Sequence, residues 1–200
     1  MRSSYCAIAI LLAVMGASAH SQDEQASKHN TTIPAEGSSK TPPVNPEMQD
    51  LFLADQAIRH EIEKRGGWIA VKDDMTFLQR WEREDAERLR RTKELLEMDM
   101  LKSGIDFYRA AFIFQHSKKP EDFLKAHHLS VIAISKGYNA RWISAATLDR
   151  YLQAIGKRQI YGTQYLANEA GKYVRQPVEP EIVSDAERAQ LNVPALTEDK

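Results

Sequence analysis

Cysteine is the scarcest residue in this chain: Cys6 stands alone among 200 residues. It lies within an unbroken apolar run, Tyr5 to Met15. The singly charged Met1-Arg2-Ser3-Ser4 precedes that run, and the small-residue triplet Ala17-Ser18-Ala19 follows it. That order predicts a secretory signal cut after Ala19. The run of eleven residues would rise about 16 Å as a helix, roughly half of a bilayer's hydrocarbon core. No membrane span is therefore expected. A lipid anchor needs a cysteine at the cut, and Cys6 is not there. Cleavage removes the one thiol, so the mature protein has no disulfide despite a periplasmic or secreted destination. Cysteine nucleophiles and thiolate metal sites are excluded with it.

An excess of one charge is also missing. Lys and Arg number 27 against 28 Asp and Glu, and the two signs are interspersed, unlike the basic footprint of a nucleic-acid binder. No phosphate-cradling glycine loop, dinucleotide fingerprint, H-E-x-x-H pair or G-x-S-x-G elbow occurs. No cofactor and no metal is expected, and partners reduce to an unidentified small molecule or protein. His20 to Pro46 has almost no large apolar residues and is expected to be a disordered linker. Its Asn30-Thr31-Thr32 is a glycosylation sequon, meaningful only in a eukaryotic source.

What the chain does have is helical periodicity. The expected fold is mainly α: a small helical bundle with a C-terminal β-hairpin, one domain over 47–196. Residues 47–65 read as an amphipathic helix stopped by Gly66-Gly67. Residues 74–101 read as a very charged helix; Glu82 to Arg91 has only Ala86 and Leu89 as apolar positions, the pattern of a solvated face. Residues 105–116 are apolar almost all round and predict a central buried helix. Pro120 opens a helix running to Gly137, and Asn139 caps another ending near Gly156. Tyr161–Ala167 and Lys172–Pro177 flank a turn at 168–171, predicting the hairpin. Ser184 and Glu187 have capping-box spacing.

Several polar residues fall on apolar faces. Met48, Leu51, Ile58 and Ile62 form a stripe with Asp55 at its middle and Arg59 at its edge. Phe123, Leu124, Val131 and Ile134 form an arc centred on His127, with His128 peripheral. Ala145, Leu148, Leu152 and Ile155 define a third face, with Asp149 on its flank and Arg150 directed elsewhere. Gln115 and His116 close the central helix. An isolated buried carboxylate costs several kcal/mol. Asp55, Arg59, Gln115, His116, His127 and Asp149 are therefore expected to satisfy one another or to line a cleft. Each alone is more often structural than catalytic, and structural network and functional site both stay open for the set. His116, His127 and Asp149 are the candidate catalytic residues, as acid and base. Eleven residues and a helix boundary separate the two histidines, unlike zinc-ligand spacing.

The segments Asp55-Gln56-x-x-Arg59, Gln115-His116, Asp149-Arg150 and Gln159-x-Tyr161-Gly162-Thr163-Gln164 resemble a bacterial domain family of unknown function. That family is defined by QH, DR and Q-x-YGTQ segments in this order. The likeness covers roughly residues 85–196, and Q-x-YGTQ is its most specific piece. Asp85-x-x-Arg88 is an equal counterpart of the D-Q-x-x-R element, and Gly67-Trp68 lacks the proline of related domains. The candidate binding residues are Asp55, Arg59, Gln115, Gln159, Tyr161 and Gln164. The resemblance implies no activity. An exported binding or structural domain with an inward polar network is expected. The alternatives are a hydrolase-like enzyme using His116 or His127 with Asp149, and an interaction protein presenting the charged helix 82–98.

Overall fold

The computed structural model describes residues 42–168 and 171–196. The expected signal and sequon, and the linker up to residue 41, lie outside the described residues. Helices α1 (Pro46–Lys64), α2 (Trp68–Val71), α3 (Met75–Glu97), α4 (Gly104–Phe114), α5 (Pro120–Ser135) and α6 (Arg141–Ala154) come first. A two-stranded antiparallel hairpin, β1 (Tyr165–Ala167) and β2 (Tyr173–Arg175), and a short α7 (Asp185–Gln190) complete the order. The chain is mainly helical with a C-terminal hairpin, as expected. No helix among the described residues is long and apolar enough to cross a membrane.

Local chemistry fixes the helix ends. Asn45 caps α1 by accepting from Met48 N at 2.9 Å, with Pro46 in the first turn. Asn45 is itself buried and donates its backbone N–H to Asp106, so ordered structure begins before the expected boundary at 47. Gly66 and Gly67 stop α1 at φ of 99° and 82°, a region that disfavours side chains. Asp74 caps α3. Reciprocal capping boxes open α4 (Ser103 with Asp106) and α7 (Ser184 with Glu187). Asn139 does not cap α6; Ala140 holds that position without a side-chain bond.

The apolar interior is divided in two. The larger cluster joins Met48 and Phe52 of α1, Leu95 of α3, Tyr108 and Phe112 of α4, Leu129 of α5 and Ile143 of α6. The smaller joins Ile58 and Ile62 of α1 with Val71, Phe77, Leu78 and Trp81. Helices α1 and α3 run antiparallel: Arg91 pairs with Glu47 and Arg80 with Glu61, at opposite ends of the two helices. Each helix therefore crosses both clusters. Between them, at one level, α1 places Asp55 and Arg59 and α3 places Asp85 and Arg88.

Candidate functional site

That shared level is a buried polar layer. Asp55 is 1% exposed. Arg59 Nη1 lies 3.0 Å from Asp55 Oδ1 and also donates to the Asp55 carbonyl, one turn back. Its Nη2 reaches Asp85 Oδ2 at 3.0 Å, while Arg88 Nη2 reaches Asp85 Oδ1 at 2.5 Å. The Arg59 guanidinium also lies over the Trp81 ring, 5.7 Å from its centroid. The two D-x-x-(x)-R elements, alternatives on sequence grounds, thus form one constellation. The charged helix is not solvated on every side: Asp85 and Arg88 turn inward, and only the opposite face, with Glu87 and Arg90, meets water.

The end of α4 closes the layer from a second direction. His116 Nε2 stands 3.6 Å from Asp55 Oδ2, and the His116 side chain is nearly buried. Arg150, from the last turn of α6, is buried and donates through Nη1 to the Gln115 carbonyl. Its Nη2 reaches Gln164 Oε1 at 3.3 Å, and its guanidinium lies over Phe123. Arg150 thus points into the site, contrary to expectation. α6 is buried around nearly its whole circumference from Trp142 to Thr147 and again at Asp149 and Arg150, so no single apolar arc could indicate its inner face.

Asp149 does other work. Its Oδ1 accepts from the backbone N–H groups of Ile160 and Tyr161, and its Oδ2 from Thr163 N and Thr163 Oγ1, all within 3.0 Å. Arg188 of α7 donates to the carbonyls of Ile160 and Tyr161. Gln159 accepts from Gln164 N and donates to the Gln164 and Gln176 carbonyls. The YGTQ segment is thus a loop held from three sides, not the start of a strand, and β1 begins only at Tyr165. Gly162 adopts φ 84°, and a Cβ there would fall 2.7 Å from Leu196 Cδ2. Tyr161 is half-buried, its phenol pushed above the usual range by burial first and by the nearby Asp149 charge second.

His127 lies outside the layer. Its Nδ1 meets the Ser144 carbonyl at 3.0 Å. Its outer side lines a surface cleft of about 540 Å³ with Glu121, Leu124, Lys125, His128 and Val131. The expected arc on α5 is wrong: Leu124 and Val131 are 43% and 46% exposed, and Ile134 is exposed too. The buried face is Phe123, Ala126, Leu129, Ser130 and Ala133, because small residues let α5 approach α4 and α6 closely. Of the six residues expected to converge, Asp55, Arg59, Gln115 and His116 do. Asp149 serves the loop and His127 the surface. Asp85, Arg88 and Arg150 are added.

Electrostatics marks the layer. Burial raises the Asp55 carboxyl to about 7, with Arg59 opposing and Asp85 reinforcing the shift. Burial, followed by Arg59, Arg150 and Arg88, holds His116 well below its ordinary value, so it is neutral. Burial and then Arg59 also press Arg150 downward; a guanidinium keeps its proton regardless, and among the described residues no carboxylate pairs with it. Arg59 Nε, Arg88 Nε, Arg150 Nε, Gln115 Nε2, His116 Nε2 and Trp81 Nε1 are buried without a hydrogen-bond partner among the described residues. Native interiors rarely leave such groups unmet. No cluster of three His, Cys, Asp or Glu side chains suited to a metal occurs among the described residues.

Comparison with known proteins adds no analogue: no family model, curated protein or solved structure matches the chain.

Proposed function

We propose that this chain is an exported small-ligand-binding domain of the QH, DR and Q-x-YGTQ pattern, and that the layer around Asp55, Arg59, Asp85, Arg88, His116 and Arg150 is its ligand seat. The carrying observation is the set of buried nitrogens without partners, gathered where two apolar clusters part. A purely structural network would be expected to satisfy its own members, since a half-satisfied one is less stable than an apolar core. The three family-like segments also meet physically. Arg150 of the DR pair bridges Gln115 of QH and Gln164 of YGTQ, and Asp149 holds the loop that carries Gln164. Export rests on the N-terminal signal pattern.

A thermal-shift screen of small acids, amines and neutral polyols tests this reading. At least one class should raise the melting temperature of the wild type and fail to do so for His116→Asn. If no compound stabilises the wild type, the seat is not a ligand site.

A second reading is hydrolase-like, with His116 retained and Asp55 in place of Asp149. It is favoured by the 3.6 Å approach of His116 Nε2 to Asp55 Oδ2 and by a carboxyl poised near neutrality, the range useful to a general acid or base. Turnover of p-nitrophenyl esters or phosphates, lost in His116→Asn, would support it. Its absence would leave the binding reading in place.

A further inference from the structure

We propose that the seat accepts an oxoanion, a carboxylate or phosphate group, received chiefly by Arg150, Gln115 and His116; this inference rests on the binding reading above. Arg59 and Arg88 face three carboxylates, Asp55, Asp85 and the partly exposed Glu84, whereas the buried Arg150 has no carboxylate partner among the described residues. His116 contributes no charge while neutral, so the Arg150 side of the layer holds a positive charge without a counterion and with little water to screen it. A buried charge without a counterion is costly, and a small anion removes that cost.

The hydrogen-bonding pattern agrees. Asp85 is occupied by Arg59 and Arg88, Asp55 by Arg59 and Gln56, and the Gln164 side-chain oxygen by Arg150. The six unmet atoms at this layer are all nitrogens. The Arg, Trp and amide nitrogens are donors in every state, and His116 Nε2 donates in one tautomer. A cation or a donor-rich ligand would leave these nitrogens unmet. Water could meet the donors but leaves the charge. An oxoanion meets both. His116 and Asp85, the partly exposed members of the layer, form its outer edge.

The test compares melting temperatures of the purified protein in sodium phosphate, sodium acetate and sodium chloride at matched ionic strength. At concentrations far above Kd, phosphate or acetate should raise the wild-type melting temperature by roughly 5 °C or more, rising with the logarithm of concentration. Non-specific salt exclusion from the surface instead grows in proportion to concentration. Phosphate acting alone names a phosphate ligand; acetate acting alone names a carboxylate. The shift should survive in Arg90→Gln, on the opposite face of α3. It should vanish in Arg150→Gln and shrink at least tenfold in affinity in Arg150→Lys, which keeps the charge without the fork. If Arg150→Gln does not fold, the Lys variant and the logarithmic wild-type response decide. Absence of an oxoanion response beyond that of chloride in the wild type overturns the inference, as does a response unchanged in both Arg150 variants. If neutral compounds still bind in a His116-dependent way, only the anion inference falls. If nothing binds, the ligand seat falls with it.

Discussion

Asp149 and Arg150 are neighbours in sequence and opposite in duty. The Asp149 carboxylate accepts four hydrogen bonds from the YGTQ loop, so Asp149→Asn turns an NH2 toward groups that themselves donate. The expected cost is about 3 kcal/mol, a fall of roughly 6–12 °C in melting temperature. A smaller loss would deny the loop its dependence on this side chain. Asp55 and His116 respond to pH with opposite signs. The folded Asp55 carboxyl sits at about 7 against 3.8 when unfolded, so between those values the folded state binds more protons and stability falls as pH rises. Folded His116 titrates well below 6.5, so the unfolded state takes up protons first and stability falls as pH drops beneath 6.5. In the wild type the two slopes oppose each other. Melting temperatures measured from pH 7 to pH 5 should therefore fall for Asp55→Asn and rise for His116→Asn. Equal slopes in both variants would contradict the assignment. At this scale Asp55, Arg59, Gln115 and His116 were legible as inward residues. Arg150 was not, because on a helix buried all round, position relative to the large apolar residues says nothing about direction.

Among the elements, α3 carries the sharpest lesson. Its composition reads as a solvated helix, and charge density alone cannot reveal that Asp85 and Arg88 complete a layer with α1. The antiparallel packing is what puts them there. Arg88→Glu should prevent folding or lower the melting temperature by more than 10 °C, since it buries a third carboxylate beside two others. Arg90→Glu should lower it by only a few degrees, because Arg90 meets water and its exposed pairs with Glu87 and Glu94 contribute little. Similar behaviour of the two variants in thermal denaturation would refute the inward face. On α5 the large apolar residues misled: Ala126 and Ala133 make the close contact while Leu124 and Val131 face out. The hairpin was legible in place and in its glycine-bearing turn. Its first half was not, because Asp149, Gln159 and Arg188 capture the backbone groups of 159–164 that a strand would pair. Gly162 belongs to this element. Gly162→Ala should cost about 1–3 kcal/mol in urea denaturation, partly restored by Leu196→Ala, because the nearest obstacle is a side-chain methyl. No restoration would place the penalty in backbone conformation alone.

Across the whole molecule, the lack of disulfides leaves stability to two apolar clusters, and the polar layer divides them. The mainly helical class follows from periodicity, which local spacing records. The meeting of four helices at one polar level depends on tertiary packing, which spacing does not record. A layer of this kind weakens the core where it sits, a cost that natural proteins accept at functional sites. The arginine side chains report on it directly. In a 15N–1H spectrum of the Nε–H groups, phosphate or acetate added to the wild type should move the resonances of Arg59, Arg88 and Arg150 together along one saturating curve. Arg188, whose Nε already donates to the Tyr161 carbonyl at 3.1 Å, should stay in place. Movement confined to surface arginines such as Arg90, or no movement of the three buried ones, would contradict the account.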